Sequence, residues 1–342
     1  MTRTLKTNRA SILILVLWIL GLLSLFAVQI GLTIGQRIQL LIRTEQNQRL
    51  RFLTLAGVKK GIAALRADLR DNNGVYTPFG KYFRHNNEDV FGTTQLGEGS
   101  FEISYRTYDI NTQGMVKRYG VSDEESRLNI NLAHRAELGR LIQRVAGVED
   151  NHAVDIVDGI IGWREKGDAS MEGFYSDNYY YNLEHFYNAK DEPFEVLEEL
   201  FLVYGVTPEV YQRLLPYITV YGDGLVNINT APAPVLYALG FEDEVIQKII
   251  FVRQGVDGEE GTVDDHIFRQ PYDVVVEMRA FVPLEEPERG MIDQVNARGR
   301  LKANSSFYRI ESTASVPNRQ GEMYAYGVYN SQDNWVEYYY EK

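Results

Sequence analysis

The densest set of side chains able to do chemistry is one acidic loop, Asp257-Gly258-Glu259-Glu260-Gly261-Thr262-Val263-Asp264-Asp265. Carboxylates are hard oxygen ligands, and a glycine-bearing loop can turn several of them toward a cation such as Ca2+. Asp257, Glu259, Glu260, Asp264 and Asp265 are therefore candidate metal ligands, although their spacing is not that of an EF-hand. A solvated acidic loop has the same composition, so calcium is an expectation and no cofactor is required. The five histidines (His85, His134, His152, His185, His266) show no H-E-x-x-H or paired spacing, and cysteine is absent, which argues against zinc and thiolate sites. No nucleophile elbow, phosphate-binding loop, dinucleotide fingerprint or zinc signature occurs, so the chain reads as a non-enzyme.

The elements that would carry such a loop begin with an apolar segment. From Ala10 to Gln36 there is no Asp, Glu, Lys or Arg. That exceeds the roughly 20 residues needed to cross a bilayer core as a helix. Arg3, Lys6 and Arg9 precede it without an acid, which puts the N-terminus on the cytoplasmic side and the remaining body across the membrane. A removable signal peptide would have a shorter apolar core and an A-x-A-like cleavage site, and this run has neither. No proline interrupts the sequence onward to Asn72-Asn73-Gly74. Apolar residues at Leu40, Leu41, Leu50, Leu53, Ala56, Gly57, Ile62 and Leu65 keep near-helical spacing, so one helix of some 60 residues is expected, the first half apolar all round and the second amphipathic.

A repeat organises the middle of the chain. Asn129-Ile130-Asn131-Leu132-Ala133 with Leu138 matches Asn227-Ile228-Asn229-Thr230-Ala231 with Leu236. In the same order, Pro193-Phe194-Glu195-Val196-Leu197 matches Pro271-Tyr272-Asp273-Val274-Val275. Two related helical units follow, about 127–220 and 225–290. Asn129 and Asn227 suit helix entrances, Pro193 and Pro271 suit helix starts, and Gly147-Val148 and Gly205-Val206-Thr207 suit turns between helices. On either side, alternation at Phe101–Arg106, Tyr308–Ser312, Tyr324–Val328 and Trp335–Tyr340 predicts strands. The expected fold class is α+β, a long helix covering one face of an antiparallel sheet built from both flanks, with an all-α insertion of two helix-hairpin-helix or SAM-like units. The formal net charge of −12 opposes a nucleic-acid partner. The tyrosines of Tyr175–Tyr187 and Tyr338–Tyr340 suit wet surfaces and interfaces.

Taken as an ordered set, several words resemble the minor pseudopilin K (GspK) family of bacterial type II secretion systems over nearly the whole length. They are Arg9-Ala10-Ser11-Ile12-Leu13-Ile14-Leu15-Val16-Leu17-Trp18, the two N-I-N words, Asp158-Gly159-Ile160-Ile161-Gly162-Trp163-Arg164, Pro193-Phe194 with Glu199-Leu200, Gly205-Val206-Thr207 and Tyr217–Val220. The resemblance implies a pilin-like tip subunit of a periplasmic pseudopilus, made as an inner-membrane single-pass protein and assembled with minor pseudopilins I and J. There it would initiate or cap the filament, with the other pseudopilins, the inner-membrane assembly platform and secreted cargo as further partners. It also implies cleavage by prepilin peptidase between Ala10 and Ser11, with Ser11 then N-methylated; alanine departs from the family's glycine there. Pilins carry a glutamate at the fifth mature position, whereas this chain has Leu15, as K-type subunits do; a subunit with none ahead of it requires no acid to neutralise a neighbour's amine. Family members carry calcium-binding acids just after the Trp-Arg word, which makes Asp168, Glu172 and Asp177 a second, degraded metal candidate. The implied domains are a leader (1–10), a transmembrane helix (11–34), a first pilin-like part (35–126), the insertion (127–290) and a second pilin-like part (291–342). The rival readings are a minor pilin of a type IV pilus-related machine and a membrane-anchored helix-hairpin-helix DNA receptor.

Overall fold

The computed structural model describes residues 9–71, 85–109, 112, 114–165, 180–181, 186–258, 264–317 and 321–342. Helix α1 runs without a break over Arg9–Asp71, about 95 Å at 1.5 Å per residue. It contains one stretch apolar enough to cross a membrane, and none of that stretch is covered by the rest of the chain. Packing begins only in the last third. Leu40 and Leu41 are exposed, whereas Leu50, Leu53, Val58, Ile62 and Leu65 are buried. Their spacing of three to five residues keeps them on one face.

That face lies on a seven-stranded antiparallel sheet whose main path is β1 (Thr94–Leu96), β2 (Gly99–Asp109), β9 (Phe307–Ser315), β10 (Met323–Asn330) and β11 (Trp335–Glu341). Strands β3 (Gly114–Tyr119) and β4 (Ser122–Asp123) add to β2 and β9 respectively, and the one-turn helix α2 (Glu88–Phe91) precedes β1. The expected strands all fall inside these elements, and the sheet joins both flanks through the β2–β9 ladder, Phe101 opposite Ala314 and Ile103 opposite Ser312. Alternate residues point at α1: Phe101 and Ile103 from β2, and Tyr308, Ile310, Ser312 and Ala314 from β9, are all buried.

Glycines set how close the helix comes. A Cβ at Gly57 would lie 2.0 Å from Ser312 Oγ, and one at Gly61 would lie 2.5 Å from Ile310 Cγ2. Real Cβ atoms do not tolerate such contacts, so the helix backbone seats on β9 only because these two side chains are missing. Ser312 Oγ is buried there without a hydrogen-bond partner, which makes its methyl-sized bulk, and not its polarity, the feature the site uses.

Between β4 and β9 the chain makes the helical insertion. Its first unit contains β5 (Leu128–Asn129), α3 (Arg135–Val145), α4 (Asp150–Arg164), a 3-10 turn (Leu197–Leu202), α5 (Pro208–Leu214) and β6 (Ile218–Thr219). The second contains β7 (Val226–Asn227), α6 (Ala233–Leu239), α7 (Asp243–Arg253), α8 (Val274–Met278), α9 (Glu286–Ala297) and β8 (Leu301–Lys302). Each is closed by a short parallel pair, β5 with β6 and β7 with β8. The two units share one apolar core, running from Leu128 through Leu138, Leu141, Leu236 and Ile249 to Leu301.

Replacing Gly57 with Val should cost about 1–3 kcal/mol by forcing helix and sheet apart. Ser312→Ala, which removes an unsatisfied hydroxyl, should stay within about 0.5 kcal/mol of wild type. Denaturant unfolding of the detergent-solubilised full chain, followed by circular dichroism, checks both.

Candidate functional site

The repeated N-I-N word builds the frame of each helical unit, by a different bond from the one expected. The N-caps of α3 and α6 are His134 and Pro232, so Asn129 and Asn227 do not cap those helices. Each turns its side-chain oxygen onto the backbone N–H two residues on, Asn131 at 2.9 Å and Asn229 at 3.0 Å. That is an Asx turn, which reverses the chain before the helix begins. The second asparagine of each word clamps a distant phenylalanine backbone at both ends. Asn131 accepts from Phe194 N and donates to Phe194 O at 2.7 and 2.9 Å; Asn229 does the same to Phe268 at 2.8 and 2.9 Å. The structural counterpart of Phe194 is therefore Phe268, whereas Tyr272, its partner in the sequence comparison, is 71% exposed.

An arginine completes each word. Arg164, the last residue of α4, donates to the carbonyls of Ile130 and Ala133. Arg253, the last of α7, donates to Ala231 O at 2.6 Å. Trp163, next to Arg164 in α4, is 4% exposed, with Tyr180, Tyr187 and Phe194 packed around its ring. This corrects the surface reading of the tyrosine-rich stretch for Tyr180, which is 1% exposed and belongs to the core. Pro271 does open a 3-10 turn leading into α8, but Pro193 lies four residues before the helical turn it was expected to start. The turns came where glycine was needed: Gly147 and Gly205 have φ of 65° and 79°, a region other residues rarely adopt.

Where sheet and insertion meet, the chain buries three consecutive acids that the sequence reading passed over. Asp123, Glu124 and Glu125 are 4%, 0% and 2% exposed. Asp123 Oδ2 accepts from Asn227 Nδ2 at 3.0 Å and from Thr230 and Ser305 hydroxyls at 2.6 Å each. Glu124 pairs with Arg127 at 2.9 Å and with Arg309 of β9, and accepts Thr219 Oγ1 at 2.6 Å. Glu125 takes Lys302 Nζ and Ser306 N, each at 2.6 Å. Burial pushes the Glu124 carboxyl up, but Arg127, Arg309 and the Thr219 hydroxyl outweigh it and hold it below the usual glutamate range. The signal that could have drawn notice to this junction was the S-D-E-E-S-R run just before the first N-I-N word, three adjacent acids followed by an arginine.

The positions singled out for processing and metal binding do not converge. Ala10 and Ser11 lie within α1, and Leu15 is an exposed position on the same helix. Asp257 is in the turn after α7, and Asp264 Oδ2 accepts the backbone N–H groups of Val256 and Asp257 at 2.6 and 3.1 Å. That carboxylate oxygen closes its own loop. Asp265 is 9% exposed. Glu259, Glu260, Asp168, Glu172 and Asp177 lie outside the described residues, as does the Asn72-Asn73-Gly74 stop. Among the described residues no three His, Asp or Glu side chains are placed to hold one metal ion.

Comparison with known proteins adds two findings. Residues 114–223 match the family described as type II secretion system (T2SS), protein K. Among solved structures, a chain of the GspK–GspI–GspJ complex from the type 2 secretion system of enterotoxigenic Escherichia coli superposes with a TM-score of 0.63 at 16% identity, covering 88% of this chain and 99% of that one. At that identity the likeness is one of fold. No curated protein sequence matches this one.

Glu124→Gln should destabilise the chain by about 3–5 kcal/mol, since it leaves Arg127 and Arg309 buried against a neutral partner. Because the folded-state pKa is depressed, the Glu124 contribution is fully present above the ordinary glutamate value of 4.5 and is lost as pH falls through the lower folded value. Wild-type stability should therefore drop on acidification below about pH 4.5, and the slope of that drop should be shallower in Glu124→Gln, as read from denaturant midpoints across pH.

Proposed function

We propose that this chain, whose residues 114–223 match the type II secretion system protein K family, is a minor pseudopilin placed at the tip of a secretion pseudopilus. The protein K match inside a chain with this helix and sheet is the observation that carries the reading. In it the role is structural and no catalysis is assigned. The uncovered half of α1 anchors the chain in the inner membrane before assembly, and Arg3, Lys6 and Arg9 keep its start cytoplasmic. The sheet and insertion then occupy the periplasm. Prepilin peptidase cuts between Ala10 and Ser11, and the new Ser11 amine is methylated.

Leu15 gives the tip placement a physical basis. A carboxylate in the bilayer core costs several kcal/mol unless a cation meets it, and a subunit with nothing above it has no such cation to meet. Minor pseudopilins I and J are the partners, by analogy with the complex whose fold this chain shares. The remaining pseudopilins and the assembly platform receive the complex during filament growth.

The decisive measurement is intact mass and N-terminal sequencing of membrane-extracted protein from cells with and without active prepilin peptidase, with affinity capture of subunits I and J from the same extracts. A start at Ser11 that depends on the peptidase, together with co-capture of I and J, is the expected result. An uncut start, or capture of neither subunit, would sink the assignment. Leu15→Glu should leave membrane insertion intact and reduce the yield of the I–J–K complex severalfold, because it places an unpaired acid in the apolar helix; unchanged complex yield and unchanged secretion would show that the missing acid carries no positional information.

A further inference from the structure

We propose that the face of the sheet turned away from α1 binds an uncharged oligosaccharide chain. Strand alternation assigns the two faces. A Cβ at Gly327 of β10 would lie 3.2 Å from Val58 Cγ1 of α1, so its neighbours Tyr326 and Val328 turn the other way. Tyr340 of β11 is the cross-strand partner of Tyr326, and Tyr338 that of Val328. With Tyr324 they make a continuous aromatic row. The ring of Tyr326 lies 6.1 Å from that of Tyr324 and 5.6 Å from those of Tyr338 and Tyr340. The Arg309 guanidinium packs over the Tyr326 ring, 4.7 Å from its centre. Rings that hold one another in this way lose little freedom when a ligand settles on them.

The row runs into an open groove of about 510 Å³, a volume usual for a small-ligand site. Tyr324 lines it with Glu311 and Thr313 of β9, while Leu215 and Pro216 of the first helical unit form the facing wall. Such a concave groove suits a single chain and not a flat protein surface. The charges of the groove cancel. Glu102 pairs with Lys117 at 2.6 Å. Arg127 and Arg309 share Glu124 and both have Glu311 as a second acid nearby. The two remaining charges of the lining, Arg106 and Glu322, are opposite in sign. A charged ligand of either sign finds no surplus to meet it, and a neutral sugar needs none. Sugars carry apolar C–H faces and hydroxyls together, and tyrosine offers the matching pair, a ring face and a polar tip. Glu311 accepts the Tyr324 hydroxyl at 2.9 Å. The hydroxyls of Tyr326, Tyr338 and Tyr340 have no hydrogen-bond partner among the described residues, and Tyr340 is 38% exposed. This reading depends only on the sheet's outer face and not on membership of a secretion machine.

Titration calorimetry of the full chain, in a detergent without a sugar headgroup, tests it. Cellohexaose, maltohexaose and chitohexaose are the neutral probes, and hexagalacturonate is the acidic comparison. At least one neutral hexamer should bind saturably with a Kd at or below about 1 mM, and hexagalacturonate about tenfold more weakly or not at all. Tyr340→Ala should weaken the neutral sugar about tenfold, and Tyr340→Phe, which keeps the ring and loses the hydroxyl, a few-fold. Phe52→Ala, which removes an aromatic side chain 70% exposed on α1, should leave the affinity unchanged. Absence of saturable binding of every neutral hexamer up to about 10 mM, equal binding of the acidic one, or equal losses in Phe52→Ala and Tyr340→Ala would overturn the site. So would wild-type sugar affinity in both Tyr340 variants. If those variants instead lost capture of subunits I and J, or self-association in sedimentation, the face would be a protein interface.

Discussion

Three adjacent carboxylates cannot be buried unless each is met by donors, because an unmatched buried charge costs several kcal/mol. The donors for Asp123, Glu124 and Glu125 come from four separated parts of the chain: the end of the first helical unit at Thr219, the N-I-N word of the second at Asn227 and Thr230, the return segment at Lys302–Ser306, and strand β9 at Arg309. The folded positions of sheet and insertion are therefore tied to one another. Neither can shift without stranding a charge, and a long insertion that could have hung from a flexible tether is instead held as a fixed extension of the sheet.

Within the insertion the same economy appears twice. Each unit opens with an asparagine that turns the chain, a second asparagine that grips a phenylalanine backbone from far downstream, and an arginine that returns from the second helix to the carbonyls of the word. These bonds satisfy backbone groups that would otherwise lie bare beside an apolar core. The alanines Ala133 and Ala231 that end the two words are 1% and 0% exposed and belong to that core. Side chains chosen for hydrogen bonding thus position a core of mainly Leu, Ile, Val and Ala, with an aromatic group around Trp163.

Much of this architecture was legible from the sequence, for reasons that differ by element. The uncharged run from Ala10 to Gln36 and the alternating flanks are periodic signals, and periodicity is local, so α1, β2, β9, β10 and β11 fell where expected. The repeat was legible because its two words recur with their alanines and leucines. What those asparagines bond to was not, since Phe194 and Phe268 reach them only through the tertiary fold. The buried acids were missed for a related cause: composition places Asp and Glu outside, and most of the donors that reverse that, Thr219, Asn227, Thr230, Lys302 and Arg309, lie far along the chain. The extent of helix cover was also overestimated. Leu40 and Leu41 keep the spacing of a packed face, but nothing in the described chain lies over them. The candidate metal residues remained scattered because acidity alone carries no geometry, and Asp264 uses its carboxylate to close its own turn.

The β2–β9 ladder joins residues separated by the entire insertion, Phe101 lying against Ala314. A sheet whose central pairing spans about 200 residues of chain closes late, because loop-closure entropy opposes such contacts until the intervening chain has ordered. If the body emerges N-terminus first, the packing face of α1 and the β2–β3 hairpin stand exposed until β9 arrives. The insertion, with its own core and its own closing strands, can order during that wait and bring the two halves of the sheet to within one ladder of each other. Its position in the chain then makes it a folding jig as well as a fixed projection.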